Sequence, residues 1–320
     1  MIRYLKEKDV AQILAMPKAV ELVEAALRER TAGRAIDIPR SRTRIPAGTL
    51  QMMQAASPAL QRIGFKVYYT TPGKITSYYV NLFDSESGKL EAIIEANYLG
   101  MMRTGAASGV ATRYMGREDA TVLATIGAGK QAVGQLEAVC AVREISEVRV
   151  YSRNTDKARK FCATMSDKLG VTMRAVESIA ETVRGAHVIN VITKASTPAL
   201  KGEWLEPGQH INAAGANSFV RRELDDAAVE RCARVAVDSR ATARIECGDL
   251  LPLIDRGLLD WDSLPELGEI IVGRVPGRQN REEITLFESQ GMAIEDLYTA
   301  KYVVDTARAK NIGVDLPIGD

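Results

Sequence analysis

Apolar positions change their period along this chain, and the change divides it in two. Between about residues 6 and 31, Val10, Ile13, Leu14, Val20, Leu22, Val23 and Leu27 recur at helical spacing. Pro17 fits a break or a first-turn position between two helices there. Residues 38–57 read as extended, with Pro39, Pro46 and Gly48 as turns. Residues 64–71 and 77–84 alternate and are rich in aromatics, which predicts antiparallel strands. A turn at 85–89, a strand at 90–95 and a helix over 98–114 follow. From residue 120 the pattern becomes strand–helix alternation, with strands at 121–126, 148–152, 173–175, 188–192, 211–213 and 235–237. Helices at 131–142, 155–169 and 178–183 fall between them, then a strand at 284–287 and a long amphipathic helix over 292–310. Such alternation implies a parallel sheet covered on both faces.

The predicted fold class is therefore α/β. A Rossmann-type doubly wound parallel sheet spans 116–292, and a smaller antiparallel α+β domain spans 1–115, with 293–320 returning to it. The chain is 320 residues long, 46% hydrophobic and 26% charged, enough for one large or two medium domains. A net charge of +1 argues against a nucleic-acid partner. No apolar run reaches bilayer length, and the first fourteen residues lack the apolar core of a secretory signal. Cys140, Cys162, Cys232 and Cys247 show no CxxC spacing, which suits reduced thiols in a cytoplasmic protein. The two histidines, His187 and His210, each begin an apolar strand and read as strand-edge residues; no metal site is expected.

The segment 120–153 carries the clearest chemistry. A β-branched apolar strand runs into Gly127-Ala128-Gly129-Lys130-Gln131-Ala132, then a helix, then a second strand. In G-x-G-x-x-A, Gly127 permits the tight turn, Gly129 admits a pyrophosphate to the backbone, and Ala132 lets helix and strand pack closely. The helix start adds free N–H groups and a partial positive charge. This predicts a dinucleotide site. The second strand leads into Ser152, Arg153, Asn154 and Thr155, with no carboxylate to repel a 2′-phosphate and a guanidinium suited to bind one. NADP(H) is the preferred coenzyme and NAD(H) remains possible; alternatively Arg153 is a solvated residue that does not discriminate.

Several segments, in order over nearly the whole chain, resemble the ornithine cyclodeaminase/mu-crystallin family. They include Pro39-Arg40-Ser41-Arg42, Gln51-Met52-Met53, Gly64-Phe65-Lys66, Arg103-Thr104-Gly105-Ala106 and the glycine turn itself. His210-Ile211-Asn212-Ala213-Ala214-Gly215-Ala216, Arg222-Glu223-Leu224-Asp225, Glu266-Leu267-Gly268 and Ser289-Gln290-Gly291-Met292-Ala293 complete the series. The resemblance implies a Rossmann domain joined to a substrate and dimerisation domain, usually in a homodimer. It also implies that Arg40 or Arg42, Lys66 and Arg103 bind a substrate carboxylate, with Gln51, Met53 and Asn217 on the substrate side. Thr104, Thr193, Ser289 and Gly291 would touch the cofactor. Lys66, in an otherwise apolar strand and beside guanidinium groups, should have a lowered pKa and exchange a proton with the substrate nitrogen.

Gln51 and Asn217 stand where the ornithine-eliminating members resemble each other in carrying Glu and Asp. Neither amide titrates, so neither is a general base. The expected activity is an NAD(P)H-dependent oxidoreductase on the C=N or CH–NH of a small imino or amino acid. A lyase of the ornithine cyclodeaminase or hydroxyproline dehydratase type, with NAD as a recycled prosthetic group, is the alternative. A non-catalytic NADP(H) and ligand binder is a second.

Overall fold

The structure is a computed structural model that describes residues 1–71 and 74–318. The chain opens with β1 (Ile2–Leu5), α1 (Glu7–Ile13) and α2 (Met16–Thr31), with Pro17 inside the first turn of α2. Strands β2 (Ile36–Ile45), β3 (Gly48–Ser57), β4 (Arg62–Thr71), β5 (Lys74–Asp84) and β6 (Leu90–Glu95) precede α3 (Asn97–Met115). The alternating region runs β7 (Val122–Ile126), α4 (Lys130–Val142), β8 (Glu147–Tyr151), α5 (Thr155–Leu169), β9 (Thr172–Val176), α6 (Ile179–Val183), β10 (Val188–Val191) and β11 (His210–Ala213). It continues through α7 (Asp226–Glu230), β12 (Arg234–Val237), α8 (Arg240–Glu246), α9 (Leu251–Asp255), α10 (Leu267–Ile271) and β13 (Thr285–Glu288). The chain closes with α11 (Ala293–Ala309) and β14 (Val314–Leu316). Among the described residues no helix is long and apolar enough to cross a membrane.

Two compact units result: Met1–Arg103 with Met292–Asp320, and Thr104–Gly291. The helix expected to close the first region, α3, divides between them.

In the first unit the strand order is β14-β1-β6-β5-β4-β3-β2. Neighbours from β2 to β6 are antiparallel, as their alternation predicts, but β1 pairs parallel with β6 and antiparallel with β14. The sheet is thus mixed, not purely antiparallel. Helix α11 covers β2 to β5 on one face and packs on α2. The expected turn at Pro39 is a second difference. Pro39 lies inside β2, where the register slips by one residue between Ile38 and Ser41. An edge strand with a bulge tolerates proline because the missing N–H leaves no ladder bond broken.

In the second unit the order β12-β13-β11-β10-β7-β8-β9 is parallel throughout. The fold is α/β with a doubly wound sheet. Strands buried on both faces supply two apolar layers. Leu123, Val148, Val150 and Val188 pack with Leu136, Val139, Ala158 and Met165 of α4 and α5. Ala124, Ile126, Ile189, Val191 and Ile211 pack with Val183, Ala228 and Ala243 on the other side. The chain direction across the sheet reverses between β7 and β10, the switch point where such sheets open a crevice at their carboxyl ends. His210 is interior rather than at an edge: it bonds Thr285 Oγ1 and Asn212 Oδ1, and burial pushes its pKa down to about 3.

Candidate active site

Of the sequence-predicted residues, Arg40, Arg42, Gln51, Met53, Lys66 and Arg103 fall in the first unit and the rest in the second. On β4, Gly64, Lys66 and Tyr68 face inward while Ile63, Phe65 and Val67 face outward. Strand pairing places Met53 and Val80 on either side of Lys66. One row along, Arg42 pairs with Gln51, Gln51 with Tyr68, and Tyr68 with Tyr78. Arg40 is buried and Arg42 half-buried. The bulge sets both on this face, because the extra residue resets the alternation of β2.

Lys66 is 2% exposed. Its Nζ donates to Asp296 Oδ2 at 2.6 Å. Arg103, on α3, donates from Nε to Asp296 Oδ1 at 3.0 Å and from Nη1 to Glu295 Oε2 at 2.9 Å. Both acids sit in the first turn of α11 and are buried. Burial lowers the Lys66 pKa to about 7, with the charge of Arg103 adding to the fall, Asp296 opposing it and Arg40 contributing further. Burial also disfavours the Arg103 charge, but Asp296 and Glu295 outweigh it and raise its pKa. Lys66 and Arg103 are thus tied to two carboxylates, with Arg40 close enough for its charge to act on Lys66. Removing one partner from a buried ion pair typically destabilises by about 3–5 kcal/mol.

Beside this cluster lies an aromatic and amide wall. Tyr68 and Tyr78 have ring centroids 4.8 Å apart. Gln51 Oε1 accepts from the Tyr68 hydroxyl at 2.8 Å, and its Nε2 donates to Thr70 Oγ1 at 3.4 Å. The Gln51 side chain is thus anchored as a neutral amide.

The second unit holds the glycine turn. Gly127 has φ +120°, and a Cβ there would lie 2.4 Å from the Ile192 carbonyl oxygen, so only glycine fits. A Cβ at Gly129 would meet nothing within 4 Å. Gly129 caps α4 without a side-chain bond, Ala128 and Ala132 are buried, Gln131 is half-buried and Lys130 is exposed. A tight turn, open space beside it and an uncapped helix start fit a pyrophosphate. Thr104 is half-buried on α3, and its carbonyl accepts from Gln135 Nε2 at 3.4 Å. One residue on, a Cβ at Gly105 would lie 2.2 Å from the Gly134 carbonyl oxygen, so α3 and α4 touch through backbone.

Past β8, Ser152 and Thr155 are half-buried and Arg153 is exposed. Asn154 is the N-cap of α5, its Oδ1 accepting from Lys157 N at 2.8 Å. Thr193, after β10, gives both its N–H and its hydroxyl to Glu223 Oε1, at 2.6 and 2.7 Å. Gly215 and Ala216, after β11, give their N–H groups to Glu223 Oε2 at 2.6 and 3.1 Å. Asn217 is half-buried in the same loop. Asp238 gathers Ser289 Oγ at 3.4 Å and the N–H groups of Gln290 and Gly291 at 2.7 and 2.6 Å. Glu223, Asp238, Glu295 and Asp296 are thus contacts of the predicted residues to which the sequence reading gave no role. Only Glu223 lay within a segment carrying the resemblance.

The profile of the ornithine cyclodeaminase/mu-crystallin family matches residues 3–311. The chain is 36% identical to a Δ1-pyrroline-2-carboxylate reductase of Bacillus cereus, over 97% of this chain and 98% of that one. The structure of Thermococcus litoralis Δ1-pyrroline-2-carboxylate reductase, in complex with NADH and L-proline, superposes with a TM-score of 0.94. It shares 35% identity and covers 98% of this chain and 100% of its own. An archaeal alanine dehydrogenase dimer with bound NAD superposes with a TM-score of 0.93, at 31% identity and 99% coverage of both chains. A match of this extent, over both units and with the glycine turn and the buried lysine in place, makes the chain a member of the ornithine cyclodeaminase/mu-crystallin family.

Proposed function

We propose that this protein is an NAD(P)H-dependent oxidoreductase that acts on the C=N of a small imino acid, or on the CH–NH of the matching amino acid. The observation that carries the reading is the buried lysine–aspartate–arginine cluster beside Arg40. It offers a fork for a carboxylate and, next to it, an ammonium group whose pKa near 7 suits proton transfer at neutral pH. The relatives named for pyrroline-2-carboxylate reduction and the neighbour holding NADH and L-proline support the same chemistry.

Nicotinamide coenzyme, when bound, supplies or accepts the hydride. Gly127 to Ala132 and the start of α4 would hold its pyrophosphate, with Thr104, Thr193, Ser289 and Gly291 as further contacts. Arg103, with Arg40 or Arg42, would orient the substrate carboxylate, and Gln51, Met53 and Asn217 would border the substrate. Lys66 would give its proton to the imine nitrogen in reduction and take it back in oxidation. Fixing the reactants in one geometry is worth roughly 7–11 kcal/mol of barrier.

For the coenzyme we favour NADP(H), on the absence of a carboxylate among Ser152, Arg153, Asn154 and Thr155 and the free-standing Arg153 guanidinium. For the assembly we favour a homodimer through the open sheet face of the first unit. That face carries Ile36, Ile38 and Ile63, each about half exposed, beside Phe65 and Phe83. A lyase is disfavoured because Gln51 and Asn217 are amides. The test is to mix the protein with NADPH or NADH and pyrroline-2-carboxylate and follow nicotinamide absorbance. Net oxidation of the coenzyme is expected. Release of ammonia or water with no net change in absorbance would refute the oxidoreductase reading.

A further inference from the structure

An acid in the first turn of a helix ordinarily faces water and complements the helix dipole. Asp296 occupies such a position on α11 but does not face water, being 2% exposed with its two oxygens divided between Lys66 and Arg103. It spaces the two cations and orients both. Its neighbour Glu295 bonds Arg103. We infer that Asp296 is the positioning residue of the proton transfer: it aims the Lys66 ammonium, keeps it charged until substrate arrives, and locks it to the arginine that binds the carboxylate. The inference rests on the reading of Lys66 as proton donor.

The groups around Lys66 leave this task to Asp296. Arg103 from α3 and Arg40 from β2 oppose a charge on Nζ. Met53 and Val80, its partners on β3 and β5, are uncharged. Tyr68 lies two residues along on the same face and Tyr78 beside it, and burial pushes the Tyr78 phenol up to about 12, so it stays neutral. Asp296 is the anion in contact. In the step itself one Nζ–H bond breaks, one N–H bond forms on the substrate nitrogen, and Lys66 is left as a neutral amine to be reprotonated from solvent.

Lysine-labelled protein allows the Lys66 titration to be followed by NMR with no ligand present. In the wild type it should centre near pH 7. In D296N the loss of the anion should move it down by about 1–3 units. The alkaline limb of kcat/KM for imine reduction should move down with it, since the ammonium is the donor. E295Q should leave the titration in place. D296E, which keeps the charge but displaces it, should hold the titration near the wild-type value while kcat falls roughly ten- to a hundredfold with little change in KM. A Lys66 titration unmoved in folded D296N, or moved equally by E295Q, overturns the inference. So does D296E with wild-type kcat, a measurement that serves even if D296N does not fold. A titration that shifts while the alkaline limb stays fixed also overturns the positioning role but leaves the reductase reading intact. Wild-type protein that reduces no imino acid while Lys66 titrates as expected overturns the reductase reading instead.

Discussion

At the scale of single residues, what the sequence reveals depends on whether a side chain breaks a local pattern. Lys66 interrupts an apolar strand and so announces itself. Arg153 does so too, standing where an acid is the common choice, and it is exposed in the structure. Replacing it with alanine should raise the dissociation constant for NADPH at least about tenfold more than that for NADH, a difference near 1.4 kcal/mol. Fluorescence titration with both coenzymes measures it, and equal losses would remove the 2′-phosphate role. Asp296 breaks no pattern. It is one of two acids opening a long helix, where acids are ordinary, and its partner Lys66 lies 230 residues away. A contact at that separation leaves no trace in spacing. Glu223 is obscured in a similar way, since its four donors come from two loops whose proximity only the sheet creates.

Among the elements, legibility follows burial and length. The parallel strands are apolar on both faces, so β7, β8 and β10 stand out, and α5 starts and stops at a capping asparagine and a left-handed glycine. Strands β1 and β14 are short, β14 at the edge beside β1 and β1 beside β6, and neither has a period to detect. The five-residue helices α6, α7, α9 and α10 offer hardly more than one turn, and of these only α6 falls within a helix that the alternation predicts. What joins these elements at the carboxyl end of the sheet is the Glu223 carboxylate, which binds the loop after β10 to the loop after β11. Glu223→Gln leaves at least one buried N–H without an acceptor, since an amide presents a single oxygen to donors now served by two. It should lower stability by about 1–3 kcal/mol and weaken coenzyme binding severalfold. Thermal melts with and without NADPH check both. Unchanged coenzyme affinity would confine Glu223 to a purely structural role.

For the molecule as a whole, one face of the first unit's sheet carries exposed isoleucines. Helix α11 buries one face, while Ile36, Ile38 and Ile63 remain accessible on the other. If two copies associate through this patch, as proposed above, one charge at its centre should prevent the association. Ile63→Lys should halve the mass seen by light scattering and leave the melting of the monomer fold largely in place. A dimer that persists would move the interface elsewhere. Family likeness led the sequence reading to expect a homodimer but offered no face for it, because alternation alone does not tell which side of a strand a helix will cover.

The slipped register in β2 links that open face to the cation cluster. Ile36, Ile38, Arg40 and Arg42 are all even-numbered, and an unbroken strand would turn all four the same way. The extra residue at Pro39 and Arg40 lets the isoleucines look outward and the arginines inward. Shortening the strand by one amino acid there would force a choice: guanidinium groups stranded in water, or greasy side chains swung into the pocket. Either way, deleting Pro39 would harm ligand capture or the proposed association of two copies while removing no residue assigned to either.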